Sequence, residues 1–343
     1  RGLYKYFPVH QPMIDAFMRR PRQQVKAVDN VSFSLARGEV LGIVGESGCG
    51  KTTIARTLIG LEERTKGDIL FDGQLIVEVP AQRRSEGSVT EAGVQEKQDL
   101  PSIELKQLRR RAQMIFQDPY ESLNPRETIF EIVAEPLDVH GIAKGRQERI
   151  AVVRSALEDA GLRPAEDYYL RYPHELSGGQ RQRVVIAAAM VLQPELLIAD
   201  EPVSMLDVSI RAEILNLLGE IRQKRGISIV FITHDLSTVA YFADKIAVMY
   251  LGRIVEIGTA QEVLKNPQHP YTKALLSVIP VPNPRLRKKR IILQGETPNP
   301  INLPSGCRFH PRCPVAFSEC PQIDPQLFPV SESHQAACLL VVR

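Results

Sequence analysis

The chain has 343 residues, 43% apolar and 24% charged, with 43 Lys and Arg against 40 Asp and Glu for a formal charge of +3. Such a composition suits one large globular domain with an appendage and excludes a disordered chain. The near-balance of charge argues against a nucleic-acid backbone as the main partner. The longest apolar runs, such as Val184 to Leu192, fall well short of the roughly 20 residues that span a bilayer. No charged-then-apolar leader opens the chain, so a cytoplasmic protein is expected, with any membrane association peripheral.

Val40 to Val44 is a short buried-strand pattern, followed by Gly45-Glu46-Ser47-Gly48-Cys49-Gly50-Lys51-Thr52-Thr53 and a helical stretch from Lys51 to Leu61. This is G-x-x-x-x-G-K-[ST] between a strand and a helix. Its glycines let backbone N–H groups turn inward and cradle phosphate oxygens, helped by the positive end of the following helix. Lys51 is placed to reach the β- and γ-phosphates and Thr52 to put its hydroxyl on Mg2+. A chance Gly-rich turn would lack these flanks. Cys49 reads as a small residue that fits the loop, not as a redox group.

The stretch from about 78 to 102 is rich in Gln, Ser, Glu, Gly and Arg, and reads as an exposed or partly disordered insertion. Further on, Leu176-Ser177-Gly178-Gly179-Gln180 precedes an apolar run, and by itself is an ordinary helix cap. Leu196-Leu-Ile-Ala-Asp200-Glu201 is an apolar strand ending in two acids. Asp200 then lies at the sheet's C-terminal edge beside the phosphate loop, fit to hold Mg2+ through water, and Glu201 is fit to act as a general base. The segment Val208 to Arg225 has helical apolar spacing, and Ile227 to Ile232 is a further strand. Strand, helix, strand is the grammar of a parallel sheet covered by helices.

From about residue 266 the character changes. Of 25 prolines, 13 lie between Pro267 and Pro329, which excludes a run of helices or central strands and predicts a loop-rich C-terminal module. Four of the five cysteines, Cys307, Cys313, Cys320 and Cys338, fall in the last 37 residues. In a cytoplasmic chain such a cluster reads as metal ligands before disulfides, for a [4Fe–4S] cluster or a tetrahedral zinc. His310 and His334 nearby read as loop residues. The basic run from Arg285 to Arg290 reads as a solvated loop.

With Ser177-Gly178-Gly179-Gln180 beside the phosphate loop and the acidic strand end, the chain resembles the ATP-binding-cassette (ABC) ATPases. The resemblance implies an α/β fold with a RecA-like parallel-sheet core, an antiparallel β region and a helical subdomain at about 118–190. It makes 1–265 the nucleotide-binding domain and 266–343 a C-terminal module. It also implies that Ser177 to Gln180 bind the γ-phosphate of ATP held by an opposing subunit, and that Gln117 touches Mg2+ and water. His234 is implied as the γ-phosphate switch, Asp207 as a residue of the dimer seam, and Phe7, ahead of Tyr6, as the adenine-stacking aromatic. Met205 departs from the Ala usual beside that seam.

Three stretches resemble the dipeptide/oligopeptide importer branch: Phe116-Gln-Asp-Pro-Tyr120-Glu-Ser-Leu-Asn-Pro-Arg126, Arg171-Tyr-Pro-His-Glu-Leu-Ser177 and Asn266-Pro-Gln-His-Pro-Tyr-Thr-Lys-Ala-Leu-Leu276. Leu123-Asn-Pro-Arg126 and Ser177-Gly-Gly-Gln180 favour its F-type over its D-type ATPase, and among the metals the branch favours the cluster. The implied function is ATP hydrolysis energising peptide import at the cytoplasmic face of the membrane. The implied partners are an unlike D-type ATPase, two permeases and, indirectly, a substrate-binding protein, with no nucleic acid. A nickel, sugar or glutathione-like importer, or a soluble ABC ATPase acting on nucleic acid or the ribosome, are the competing readings.

Overall fold

In this computed structural model residues 1–9, 23–77, 101–279 and 290–343 are described. The strands in chain order are β1 (Leu3–Pro8), β2 (Gln24–Val31), β3 (Val40–Val44), β4 (Leu70–Phe71), β5 (Gln74–Val77), β6 (Ser102–Glu104), β7 (Ala112–Ile115), β8 (Leu196–Asp200), β9 (Ser228–Thr233), β10 (Lys245–Tyr250), β11 (Arg253–Thr259), β12 (Phe328–Pro329) and β13 (Gln335–Ala336). Eight of them make one sheet in the order β12-β13-β11-β10-β3-β9-β8-β7. From β10 to β7 the strands are parallel, and β11, β13 and β12 continue the edge antiparallel.

Every residue of β3 and β9 is buried, as a sheet covered on both faces requires. Alternation still sorts the side chains. Val40 and Val44 join the core shared with the helices, whereas Leu41 and Ile43 join the core under the β1–β2 hairpin. Gly42 interrupts β3 because a Cβ there would stand 2.2 Å from Val239 Cγ1, on the closely packed helix Leu236–Phe242. The helix Val208–Arg225 buries Ile214, Leu215, Leu217, Leu218 and Ile221 and stops at Gly226, whose φ is 65°.

Between Gln117 and β8 the chain is helical, with helices at Pro119–Ser122, Ile129–His140, Arg146–Asp159 and Gly178–Met190. Ile129–His140 opens with a capping box: Thr128 Oγ1 accepts from the Glu131 N–H at 3.3 Å, and Glu131 Oε2 accepts from the Thr128 N–H at 2.8 Å. The antiparallel regions are the β1–β2 hairpin and the β4–β5 pair, with β6 parallel beside β5.

The C-terminal part is more regular than its prolines suggest. Helix Pro270–Ser277 starts on Pro270, where a missing N–H costs nothing, and His269 Nδ1 accepts from the Tyr271 N–H at 3.1 Å. β13 pairs with β11 through Glu256–Ala336 and Ile257–Gln335, so the tail extends the main sheet. Glu256 is fully buried. It accepts from the Gln268 N–H at 2.7 Å and the His269 N–H at 3.0 Å, and His334 Nε2 lies 2.7 Å from its Oε1. His334 is thus a loop residue, as expected, but one whose side chain is buried against Glu256. The expected insertion at about 78–102 lies outside the described residues up to residue 100, as does the basic run 285–290 except for Arg290.

Candidate functional site

The loop Gly45–Gly50 joins β3 to helix Lys51–Leu58. Gly50 has φ 105°, and a Cβ on it would meet the Ala27 carbonyl oxygen at 2.1 Å, so only glycine lets the loop pass so close to β2. Lys51 is buried, and its Nζ donates to the carbonyls of Gly45 at 2.8 Å and Glu46 at 3.1 Å. Cys49 is buried beside it. Burial pushes its thiol up against the opposing pull of Lys51, which keeps it a neutral packing group.

Ser47, Gly48, Gly50, Lys51, Thr52 and Thr53 line one pocket. Phe7 on β1 and Val25 and Ala27 on β2 form one wall of it, and Gln117, Glu201 and His234 another. Tyr6, the other aromatic candidate, turns away and donates its hydroxyl to Asp29 Oδ1 at 2.5 Å.

Asp200 ends β8 and is 2% exposed. Burial pushes its carboxyl above the usual range and the neighbouring Glu201 charge adds to this, against a hydrogen bond from Thr52. Its Oδ1 has no hydrogen-bond partner. An orphaned, buried carboxylate oxygen beside a hydroxyl at the mouth of a phosphate loop is a hard oxygen donor set, and it fits Mg2+.

Glu201 follows in a left-handed turn at φ 48°, its N–H donating to the Ile232 carbonyl at 2.8 Å. That uncommon backbone state carries strain of the kind that persists where a side chain must be aimed. Glu201 Oε2 lies 3.2 Å from Gln117 Nε2 and 3.1 Å from His234 Nδ1. Three residues from three separate chain segments therefore meet at one carboxylate oxygen.

Ser177 caps helix Gly178–Met190, with the Gln180 N–H donating to its hydroxyl at 3.3 Å and its own N–H donating to Gln180 Oε1 at 3.0 Å. Asp207 caps helix Val208–Arg225 without a side-chain bond. Neither Ser177–Gln180 nor Asp207 lines the phosphate-loop pocket. They stand among exposed apolar groups, Tyr120, Met205 and Val208.

Two features of the phosphate loop and its pocket were not legible in the motifs. Pro300, from the C-terminal part, lines it, with the Pro300 carbonyl accepting from the Lys26 N–H at 3.3 Å. Glu46, inside the loop, is ion-paired with Arg312, 266 positions away.

Cys307, Cys313, Cys320 and Cys338 are all free thiols and line one small pocket with Phe309, Phe317 and Leu339. Burial pushes Cys307 up to about 11 and raises Cys313 and Cys338, and the neighbouring Cys320 thiol adds to all three shifts. Among the described residues no three His, Cys, Asp or Glu side chains are grouped so as to hold a metal ion. The four thiols expected as ligands are therefore gathered at one pocket. His310 also lines this pocket, its Nδ1 2.9 Å from the Cys307 carbonyl oxygen.

Residues 28–204 match the family model described as ABC transporter, and residues 255–320 match the model of the oligopeptide/dipeptide transporter C-terminal region. A dipeptide transport ATP-binding protein of Haemophilus influenzae is 46% identical over 338 residues, covering 98% of this chain and 94% of its own length. An oligopeptide transport ATP-binding protein of Bacillus subtilis is 46% identical over 342 residues, covering 99% and 96%. Among solved structures, a dimeric ATP-binding cassette in a post-hydrolysis state with ADP and Pi is 25% identical at TM-score 0.59, covering 76% of this chain and 97% of that one.

Proposed function

Because the chain belongs to the ABC transporter family, among the ATP-binding proteins of oligopeptide and dipeptide transport, we propose that its phosphate-loop pocket hydrolyses ATP to energise peptide import. The observation that carries this reading is the convergence of Gln117, Glu201 and His234 on one oxygen at the edge of that pocket.

Lys51 gives up the carbonyls of Gly45 and Glu46 for phosphate oxygens, and the loop's N–H groups take the rest of the charge. Phe7 offers its ring to the adenine. Thr52 and Asp200 would hold Mg2+, with Gln117 at its edge, and the ion supplies charge neutralisation on the phosphates when bound. Glu201 Oε2 receives the proton of the attacking water, while Gln117 Nε2 and His234 Nδ1 fix that oxygen in place.

The signature Ser177–Gln180 and the seam residue Asp207 lie away from the pocket, which supports a site completed by a second chain. That chain is an unlike, D-type ATPase facing this one head-to-tail. ATP binding closes the pair and hydrolysis reopens it, moving two permease subunits, with a substrate-binding protein delivering the peptide. Among the described residues no helix is long and apolar enough to cross a membrane, and the permease partners would hold the chain peripherally at the cytoplasmic face. Residues 1–265 form the nucleotide-binding domain and 266–343 the C-terminal module. Its four cysteines would hold a [4Fe–4S] cluster, a group wider than the single ion that zinc would require. Iron and acid-labile sulfide in anaerobically purified protein check this, and their absence with zinc present would favour the ion.

Glu201→Gln is expected to leave ATP binding intact and to lower turnover at least a hundredfold, the scale of a lost general base. Near-normal hydrolysis would remove Glu201 from its role. Detergent extraction with the permeases, followed by ATPase stimulation by dipeptides rather than nickel, sugar or glutathione, tests the cargo.

A further inference from the structure

The second residue of the phosphate loop, Glu46, is a carboxylate in a loop built to receive a triphosphate. Left free, it would repel the ligand. Its side chain is instead held entirely from the C-terminal part of the chain. Arg312, at the end of the short turn His310–Arg312 and directly before Cys313, forks onto it, with Nη1 to Oε2 at 2.8 Å and Nη2 to Oε1 at 3.2 Å. The Thr297 hydroxyl donates to Oε2 at 2.8 Å, and the Glu46 N–H donates to the Tyr271 hydroxyl at 2.9 Å. The Arg312 side chain is 9% exposed and its guanidinium lies 5.9 Å from the Tyr250 ring centroid, so the fork is seated before it meets Glu46.

We propose that Arg312 is a positioning residue for ATP binding, drawing the Glu46 carboxylate away from the phosphates and neutralising it so that the loop presents only donors. This deepens the ATP-binding reading and rests on it. It also couples the four-cysteine module to the nucleotide site, because the arginine that steers the loop is bonded in sequence to one of the clustered thiols. Arg308, next to Cys307, serves a different element. It pairs with buried Asp29 on β2 and donates to the Leu251 carbonyl at 2.5 Å, which fixes the hairpin and touches no loop residue.

The test is Mg·ATP binding by calorimetry to the full chain, in wild type, Arg312→Gln, Arg312→Lys and the double variant Arg312→Gln/Glu46→Gln, with Tm recorded for each. Arg312→Gln is expected to raise Kd about tenfold by leaving a half-buried carboxylate with Thr297 but without its counter-charge. Arg312→Lys, which keeps the charge without the fork, falls between. The double variant recovers most of the lost affinity, because the offending charge is gone. In steady state the KM for ATP follows Kd while kcat stays near wild type. Wild-type affinity in Arg312→Gln, or a double variant no better than the single one, overturns the proposal. A module that merely unfolds would lower Tm and gain nothing from Glu46→Gln. Wild-type protein that binds no Mg·ATP would overturn the nucleotide reading itself.

Discussion

Burial pushes the Asp200 carboxyl up and leaves its Oδ1 without a partner, so at neutral pH the ionised group works against the fold that houses it. A carboxyl raised in the native state loses stability as pH climbs past its unfolded value, because the native state must then hold a buried charge. Asp200→Asn is therefore expected to raise the Tm of the ligand-free protein at pH 7, by roughly 1–2 °C per kcal/mol recovered, and to abolish the Mg2+-dependent part of the Tm shift with ATP. A lower Tm in the variant would mean that the Thr52 contact outweighs burial. Lys51, Asp200 and Glu201 were legible as a candidate site because each stands at a fixed step from a strand end or a glycine, whereas His234 came only with the family resemblance. The Glu46–Arg312 pair was not, since either residue alone reads as a solvated charge and nothing local links two positions 266 apart.

The same limit governs elements. Strands β3, β8 and β9 and the helix Val208–Arg225 are local patterns of apolar spacing, and the structure has them where the sequence puts them. Helix Pro270–Ser277 was masked by its own first residue, because proline density argues against helix interiors but not against helix starts. Strands β12 and β13 are two residues each, too short to carry a period. What fastens that edge is polar: Glu262 accepts from Ser331 Oγ at 2.5 Å, and from Ser333 Oγ and Thr259 Oγ1 at 2.7 Å each. These bonds hold its carboxyl down at about 2 against the ordinary 4.5. A depressed carboxyl stabilises above its unfolded pKa and loses that contribution as pH falls towards the folded one. The Tm difference between wild type and Glu262→Gln should thus be present at pH 7 and shrink between pH 4.5 and about 2. A difference that does not change with pH would assign the effect to packing instead.

At the scale of the whole molecule, cassette and tail share a sheet, a buried carboxylate and a pocket. Cutting the chain after residue 265 would expose β11 as an edge and strip Glu256 of the Gln268 and His269 N–H groups and of His334. Such a fragment is expected in the insoluble fraction, and a soluble, cooperatively melting one would show that the cassette stands alone. That interdependence reaches the nucleotide site through Pro300, which lines the pocket and whose carbonyl accepts from Lys26 on β2. A competitive inhibitor shaped to touch Pro300 would discriminate this ATPase from cassettes whose chains end before such a tail. Medicinal chemistry would then have a handle for selectivity in a pocket whose phosphate half offers little.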